Sequence, residues 1–188
     1  NAFVIITLGH LTGAVQPLVD WEREKGPRVR DVTTSYISYF STGYDFAEKI
    51  RNFLRERYPS SEWGIRDVLL VGDYDDVPMR RCFQDVGYGM PETDFYYSEL
   101  TLPDNQSWDI DQNRCWGEDT DPNDFYGEVF VGRIPWSDTD VVEAICKKTV
   151  AFEKNCDPAY KQNALLLGAF FWADTDNAVL MEIKTDPA

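Results

Sequence analysis

Two apolar segments of this chain each carry a carboxylate at one end, and clustered carboxylates bind divalent cations. The first segment runs from residue 67 to Asp73, and the second begins at Glu128 and ends at Pro135. Both are rich in β-branched residues and contain glycine, a composition typical of strands buried on both faces of a sheet. We therefore expect cation chemistry beside a hydrophobic parallel sheet.

Most of the negative charge lies in the segment that joins these two strands. The 188 residues include 33 acidic and 18 basic side chains, so the formal net charge is −15. Fifteen of the acidic side chains and only three basic ones lie between Asp73 and Glu128. Such a field repels phosphate backbones, so we predict no nucleic-acid partner. Divalent cations and cationic substrates are the ligands that it favours.

Two groups of oxygen-bearing residues are candidates for calcium. One follows the alternating pattern at the start of an EF-hand loop, without its central glycine and with glutamate in the tenth rather than the twelfth place: Asp109, Asp111, Asn113 and Glu118. A solvated acidic loop is a nearly equal interpretation. The other group needs folding to bring it together, and composition alone favours a solvated acidic rim there: Asp73, Asp124, Tyr126 and Glu128.

Other chemistries lack their motifs. Neither GxGxxG nor GxxxxGK[ST] occurs, which argues against a nucleotide site. His10 is the single histidine and no GxSxG is present, so a surface or capping role is the better interpretation of His10. The four cysteines allow three pairings, among which Cys82 with Cys115 is possible. No CxxC spacing suggests zinc.

Strands alternate with amphipathic helices along the chain, which predicts an α/β fold with a doubly wound, mostly parallel sheet and helices on both faces. We expect a helix closed by Gly26, a strand over Arg28–Thr33, and a capping box at Thr42. A further helix opens near Ser137, with buried positions predicted at Val141, Ala144, Ile145 and Phe152. Residues 87–127 form the one long acidic loop within a single 1–188 domain. Glu128 precedes its strand, so it lies at the opposite sheet edge from Asp73 unless that strand is antiparallel or the loop folds back.

No apolar run approaches the roughly 20 residues that span a bilayer, so we predict no membrane span. The chain begins at Asn1 without a basic region followed by an apolar one. We expect any signal peptide to have been removed or to lie outside this chain.

Ordered sequence blocks over nearly the whole chain resemble the gingipain family of cysteine peptidases. They include Gln16–Trp21, Ala47–Leu54, Val68–Asp73 with Val77-Pro78, Thr93–Tyr97 and Glu128–Pro135. The resemblance implies a caspase-like, Rossmann-like three-layer sandwich made of two α/β subdomains, of which this chain is similar to the first. It also implies a secreted, extracellular or cell-surface enzyme that cleaves peptides or proteins.

The family's nucleophilic cysteine and general-base histidine belong to its second subdomain, and nothing in this chain matches them. The resemblance therefore implies no catalytic residue here, an inactive isolated chain, and a partner subdomain from the same gene, possibly a separate cleaved chain. The rival hypothesis is a non-catalytic, calcium-dependent binding module on the same fold.

The resemblance also implies ligands. Calcium would be held by Asp73, Asp124, the backbone carbonyl of Tyr126 and Glu128, with a carbonyl near Thr101. The insertion from Asp109 to Glu118 would either build a second calcium site or displace the first. Asp176, or else Asp174, would form one wall of the pocket for a basic substrate residue. From the residues alone, a helix-capping role for these two aspartates is slightly favoured.

Overall fold

The structure is a computed structural model that describes residues 1–83, 90–100, 108–123, 125–157 and 159. The chain divides into two units, Asn1–Phe152 and Glu153–Ala188. The first unit contains the sheet and the residues discussed below. The assignment of the whole chain to one subdomain stays a prediction, because most of the second unit lies outside the described residues.

The helices and strands follow one another in the alternating order that the sequence predicts. They are β1 (Ala2–Thr7), α1 (Thr12–Lys25), β2 (Arg28–Thr33), α2 (Thr34–Phe40), α3 (Phe46–Arg57), β3 (Ile65–Val71), β4 (Arg80–Arg81), β5 (Glu92–Thr93), β6 (Phe130–Ile134) and α4 (Thr139–Lys154). Short 3-10 turns occupy Gly9–Leu11 and Phe95–Tyr97.

Four of the strands form a parallel sheet in the order β2-β1-β3-β6, and β4 and β5 form a separate antiparallel ribbon. β1 is central, and its residues Val4, Ile5 and Ile6 are fully buried because both sheet faces are covered. Residues of α1 and α4 pack with Ile5 on one face. Residues of α2 and α3 pack with Val4 and Ile6 on the other. The predicted α/β three-layer fold is confirmed.

The strand order reverses direction between β1 and β3. The chain leaves β1 through α1 to reach β2, then returns through α3 to β3 on the other side of β1. This arrangement leaves a crevice at the carboxyl ends of β1 and β3, the place where open α/β sheets bind ligands.

The helices differ from the predicted ones in two respects, the start of α3 and the buried face of α4. Asp45, not Thr42, caps α3: its Oδ1 accepts the backbone N–H of Glu48 at 2.9 Å, and Glu48 Oε2 accepts the N–H of Tyr44 at 2.6 Å. The N-cap therefore lies three residues later than predicted, and Glu48 binds the N–H of the residue before the N-cap rather than that of the N-cap itself, as a capping box would require. In α4 the fully buried residues are Val142 and Cys146. Of the predicted inward positions Ile145 packs against the core, whereas Val141, Ala144 and Phe152 are exposed, so the inward face is rotated.

Within the described residues, no helix combines the length and the apolar character that crossing a bilayer requires.

Candidate functional site

Asp73 follows β3 at the carboxyl edge of the sheet, where its carboxylate shapes the turn. Its Oδ1 accepts the backbone N–H groups of Asp75 and Asp76 at 3.1 and 3.2 Å. Its own N–H donates to Ser137 Oγ at 3.0 Å, and that hydroxyl donates to Asp76 Oδ2 at 2.5 Å. One oxygen of Asp73 is therefore already used to hold the backbone of its own loop.

Arg133, on β6, holds the base of the same loop. Its Nη1 donates to the carbonyl oxygens of Gly72 at 3.0 Å and Val77 at 2.8 Å. Gly72 has a φ of +146°, and a Cβ at this position would lie 2.9 Å from a methyl group of Val77. The glycine is thus required by the close approach of the loop to the strand end.

Glu128 lies at the opposite edge of the sheet, because β6 is parallel to β3. Its Oε2 accepts the backbone N–H of Leu100, and its own N–H donates to the carbonyl of Ser98 at 2.9 Å. Phe130 pairs with Asp67, which lies six residues before Asp73 on β3. At roughly 3.3 Å per residue, that separation is about 20 Å, whereas Ca²⁺ ligands lie at roughly 2.3–2.6 Å from the ion.

The ligand set implied around Asp73 is therefore not brought together. Asp73 and Glu128 are at opposite edges of the sheet. Asp124 and Thr101 lie outside the described residues, as do the pocket residues Asp174 and Asp176.

Three of the four residues of the second predicted group, Asp111, Asn113 and Glu118, meet within the loop from Asp109 to Glu118. The carboxylate of Asp109 accepts the N–H of Arg114 at 3.2 and 3.3 Å. Asp111 Oδ1 accepts the N–H of Asn113 at 3.1 Å. The amide Nδ2 of Asn113 donates to Asp111 Oδ2 at 2.9 Å and to Glu118 Oε2 at 2.7 Å. Two carboxylates and one amide thus meet at a single point.

The backbone of this loop turns through conformations that are unusual for its residues. Gln112 has a φ of 59° and Arg114 a φ of 70°. Asp121 accounts for much of the loop's shape. The sequence alone identified it only as one of the fifteen acidic residues of this segment. It is buried, and its carboxylate accepts the N–H groups of Ile110 and Gly117, each at 2.8 Å, and of Glu118 at 3.0 Å.

Arg80 connects this loop to the rest of the domain. Its guanidinium lies 3.9 Å from the ring centroid of Trp116 and 4.5 Å from that of Tyr96. The same group makes two bonds to Asp45, at 2.7 and 2.8 Å. Burial is the largest single influence and would raise the pKa of Asp45, but the hydrogen bond and charge of Arg80 together with backbone N–H groups of α3 outweigh it, so the pKa is lowered. The pKa of Arg80 is raised despite its burial, mainly by the hydrogen bond to Asp45.

Among the described residues, no group of three or more His, Cys, Asp or Glu side chains could hold a metal ion. The convergent loop has two such side chains and the amide of Asn113 at its meeting point.

The four cysteines are free thiols, so the possible Cys82–Cys115 disulfide is not formed. Burial raises the pKa of Cys82, and desolvation with nearby carboxylates raises that of Cys115. Burial raises the pKa of Cys146 to about 11. His10 Nε2 lies 3.1 Å from the carbonyl oxygen of Ser137, and within the described residues it forms no hydrogen bond with a thiol.

Comparison with known proteins shows the family of this chain. The model of peptidase family C25 matches residues 1–186. Gingipain R2 and gingipain R1 of Porphyromonas gingivalis are each 23% identical over 152 residues, which is 81% of this chain but 17% and 12% of those proteins. The chain thus spans less than a fifth of the curated relatives that it matches.

Solved structures agree on the fold. The crystal structure of the Arg-specific cysteine proteinase gingipain R superposes with a TM-score of 0.57 at 20% identity, over 81% of this chain and 28% of that one. A complex of pro- and mature domains from Porphyromonas gingivalis also gives 0.57, over 81% of this chain and 29% of that one.

Proposed function

This chain belongs to peptidase family C25, and we propose that it supplies the half of a gingipain-like cysteine endopeptidase that does not carry the nucleophile. The nucleophilic thiolate and the general-base histidine would lie in a second subdomain, encoded by the same gene or present as a separate cleaved chain. That subdomain and a peptide or protein substrate are the partners. The setting is extracellular or at the cell surface, in keeping with the gingipain resemblance.

The observation that carries this proposal is that, among the described residues, the single histidine forms no hydrogen bond with a thiol. A catalytic cysteine needs a lowered pKa so that the thiolate is present at neutral pH, and a histidine within hydrogen-bond reach. Cys82, Cys115 and Cys146 have raised pKa values instead. The ring of His10 is engaged with a backbone carbonyl. These features support the assignment of the nucleophile and its base to the second subdomain.

In the complete enzyme, thiolate attack on the scissile carbonyl and proton transfer by histidine would take place on the other half. This half would hold a rigid sheet edge against which substrate is positioned. Arg133 contributes by fixing the loop after β3 to β6 through two carbonyl oxygens. Such rigidity matters because small displacements of a positioned substrate cost rate.

Calcium is part of the proposal, at the loop from Asp109 to Glu118. Its donors are carboxylate and amide oxygens, the type that Ca²⁺ prefers, and they come from Asp109, Asp111, Asn113 and Glu118. The contact of the Asn113 amide with two carboxylates occupies a position that a cation would favour. Bound calcium would supply charge neutralisation that stiffens this loop. Asp73 and Glu128 do not fit a shared ion, because the parallel register separates them.

The preference for a basic residue before the scissile bond is a further part of the proposal. It is supported by the Arg specificity stated for one solved relative. Asp176, with Asp174 as the alternative, would face the guanidinium or ammonium group through a charge-assisted bond.

The test compares two proteins on peptide amides that end in arginine or lysine. The isolated chain of residues 1–188 should not turn them over, whereas the complete gene product with the second subdomain should, and alkylation of its catalytic thiol should abolish turnover. Hydrolysis by the isolated chain would show that the nucleophile has been misplaced. A complete protein that binds peptide in calcium but never cleaves it would support the binding-module alternative.

A further inference from the structure

Strand β2 forms one edge of the parallel sheet, and half of its backbone groups point away from the sheet. β1 lies on one side of β2, and no described strand lies on the other. The N–H of Arg28 donates to the carbonyl oxygen of Asn1 at 3.4 Å, so Arg28 faces β1. Since the backbone groups of successive strand residues point to opposite sides, Arg30 and Val32 face β1 as well. The N–H groups of residues 29, 31 and 33 therefore point outward.

The outward groups of β2 have no backbone partner within the described part of the chain. Such an edge accepts a further strand unless proline, a bulge or charged side chains prevent it. β2 contains no proline, and its six residues pair with β1 without a shift of register. Its protection is charge, since Arg28, Arg30 and Asp31 are exposed. Charges of this kind exclude some partners and admit others.

The charges of β2 exclude a second copy of the same strand. Two copies that meet edge to edge about a two-fold axis pair antiparallel, and residues on the same face lie opposite one another. When that pairing is centred on β2, either Arg30 or Asp31 lies opposite the same residue of the other copy. Like charges directly opposite destabilise a strand pair. A different polypeptide is therefore the partner that this edge admits.

A groove of about 410 Å³ follows this edge, and its unpaired charge is positive. Asp31 Oδ1 accepts Nη2 of Arg23 at 3.4 Å, so these two charges compensate each other. Neither Arg28 nor Arg30 forms an ion pair with a described residue. The guanidinium of Arg30 lies 5.3 Å from the ring centroid of Trp63. Apolar lining comes from the side chains of Val29, Val32, Tyr36 and Trp63.

We propose that β2 binds an extended acidic segment of a partner polypeptide by strand addition. The N–H groups of residues 29, 31 and 33 donate to carbonyl oxygens of that segment, which becomes a further strand of the sheet. Arg28 and Arg30 lie on one face of β2, because side chains two residues apart point the same way. Carboxylates at alternate positions of the segment pair with these two arginines.

This surface lies along the side of the sheet and not at its carboxyl end. The proposal therefore does not depend on the proposed function. The net charge of −15 slows the approach of an acidic partner. Salt screens that field beyond roughly 8 Å at physiological ionic strength, so the charges in contact at the edge decide the binding.

Hydrogen–deuterium exchange followed by NMR tests the proposal at single amides. In the free chain, the amides of residues 29, 31 and 33 should exchange about tenfold faster than those of residues 30 and 32, which bond to β1. Saturating acetyl-Glu-Val-Glu-Thr-Glu-Val-amide should slow the outward amides about fivefold and leave the others unchanged. Slow exchange of the outward amides in the free chain would show that the edge is already covered and would overturn the proposal.

Two further peptides separate strand addition from simple attraction of charge. Replacement of each glutamate by glutamine should weaken binding about fivefold, and added salt should weaken binding of the acidic peptide. N-methylation of alternate backbone nitrogens keeps every side chain but blocks pairing of strands, so it should abolish the protection. Equal binding of the methylated peptide would contradict strand addition. Equal binding of the glutamine peptide would contradict the role of the arginines.

Variants of the chain test the same edge. Arg30→Gln should raise the Kd of the acidic peptide about threefold, the size of an exposed ion pair. Lys147→Gln removes the same charge from an exposed position on α4 and should leave the Kd unchanged. Equal effects of these two substitutions would overturn the proposal.

Asp31→Pro removes one outward N–H, a change that edge strands tolerate, and should abolish binding of the acidic peptide. Circular dichroism would check that the variant is folded. Tight binding by the folded variant would refute strand addition at β2. If the variant does not fold, Arg30→Gln and the methylated peptide decide the matter.

Discussion

Arg133 and Asp94 form a two-point ion pair between β6 and the turn that precedes Tyr96. Nε and Nη2 of the arginine each lie 2.7 Å from a different carboxylate oxygen. Their side chains are 9% and 23% exposed. With the two carbonyl contacts of Nη1, this guanidinium joins three separate segments at the sheet's carboxyl end. Only a planar, forked cation has donors arranged for such a set of acceptors.

We expect Arg133→Lys to destabilise the fold by about 2 kcal/mol, because the ammonium cannot make the paired bonds and leaves buried acceptors unsatisfied. Urea denaturation followed by circular dichroism would measure the change in the free energy of unfolding. Arg66→Lys is the matched control, since Arg66 pairs with Asp67 at 3.4 Å in an exposed position. That change should cost less than about 0.5 kcal/mol. Equal effects of the two substitutions would contradict the assigned role.

The pair of Asp45 with Arg80 predicts a dependence of stability on pH. The pKa of Asp45 is lowered in the folded state, so its contribution is fully present above the ordinary carboxyl pKa. It is lost as the pH falls through the lowered, folded-state value. The unfolding free energy of Asp45→Asn should therefore fall less steeply with acid below about pH 4 than that of the parent protein. Asparagine still caps a helix, so the comparison isolates the charge.

The control for acid unfolding is Glu62→Gln, which removes an exposed carboxylate in a turn. Its stability should follow the parent protein's pH curve. A parallel pH curve for Asp45→Asn would show that the carboxylate is not stabilised by Arg80.

The spacing of apolar residues and the residues that end helices and strands were enough to predict most of this fold. The strand Arg28–Thr33 and the helix that ends before Gly26 have the predicted bounds, and Gly26 has the left-handed φ of 109° that closes a helix. These features are set by local chemistry within a few residues. The parallel sheet follows from the alternation of strands and helices.

The parts that failed depend on long-range contacts. Asp45 caps α3 while it also binds Arg80, 35 residues away, a preference that Thr42 cannot match. Helix α2 was not predicted, because its aromatic residues Tyr36, Tyr39 and Phe40 are largely exposed and give no inward stripe. The expected meeting of Asp73 with Glu128 depended on the direction of β6, which only pairing with β3 decides.

The calcium proposal predicts which carboxylates are needed for calcium to stabilise the protein. Addition of calcium should raise the melting temperature, and EDTA should lower it, because a ligand bound only by the folded state adds to its stability. Asp111→Ala together with Glu118→Ala should remove the calcium response, whereas Asp73→Asn should leave it intact. Differential scanning fluorimetry would measure all three proteins. A response lost in Asp73→Asn and kept in the double variant would move the ion to the sheet edge.

The thiols provide a last prediction, which concerns reactivity. Cys156 is exposed and Cys146 is fully buried with a pKa raised to about 11. Iodoacetamide at pH 7.5 should therefore label Cys156 first and leave Cys146 unmodified until the protein unfolds, since the thiolate is the reactive species. Mass spectrometry of timed digests would give the order.

In the complete enzyme, Cys82→Ser and Cys115→Ser should keep kcat/KM within about twofold of the parent, because neither thiol is activated. A drop of a hundredfold or more in either, with the fold intact by circular dichroism, would place the nucleophile in this chain.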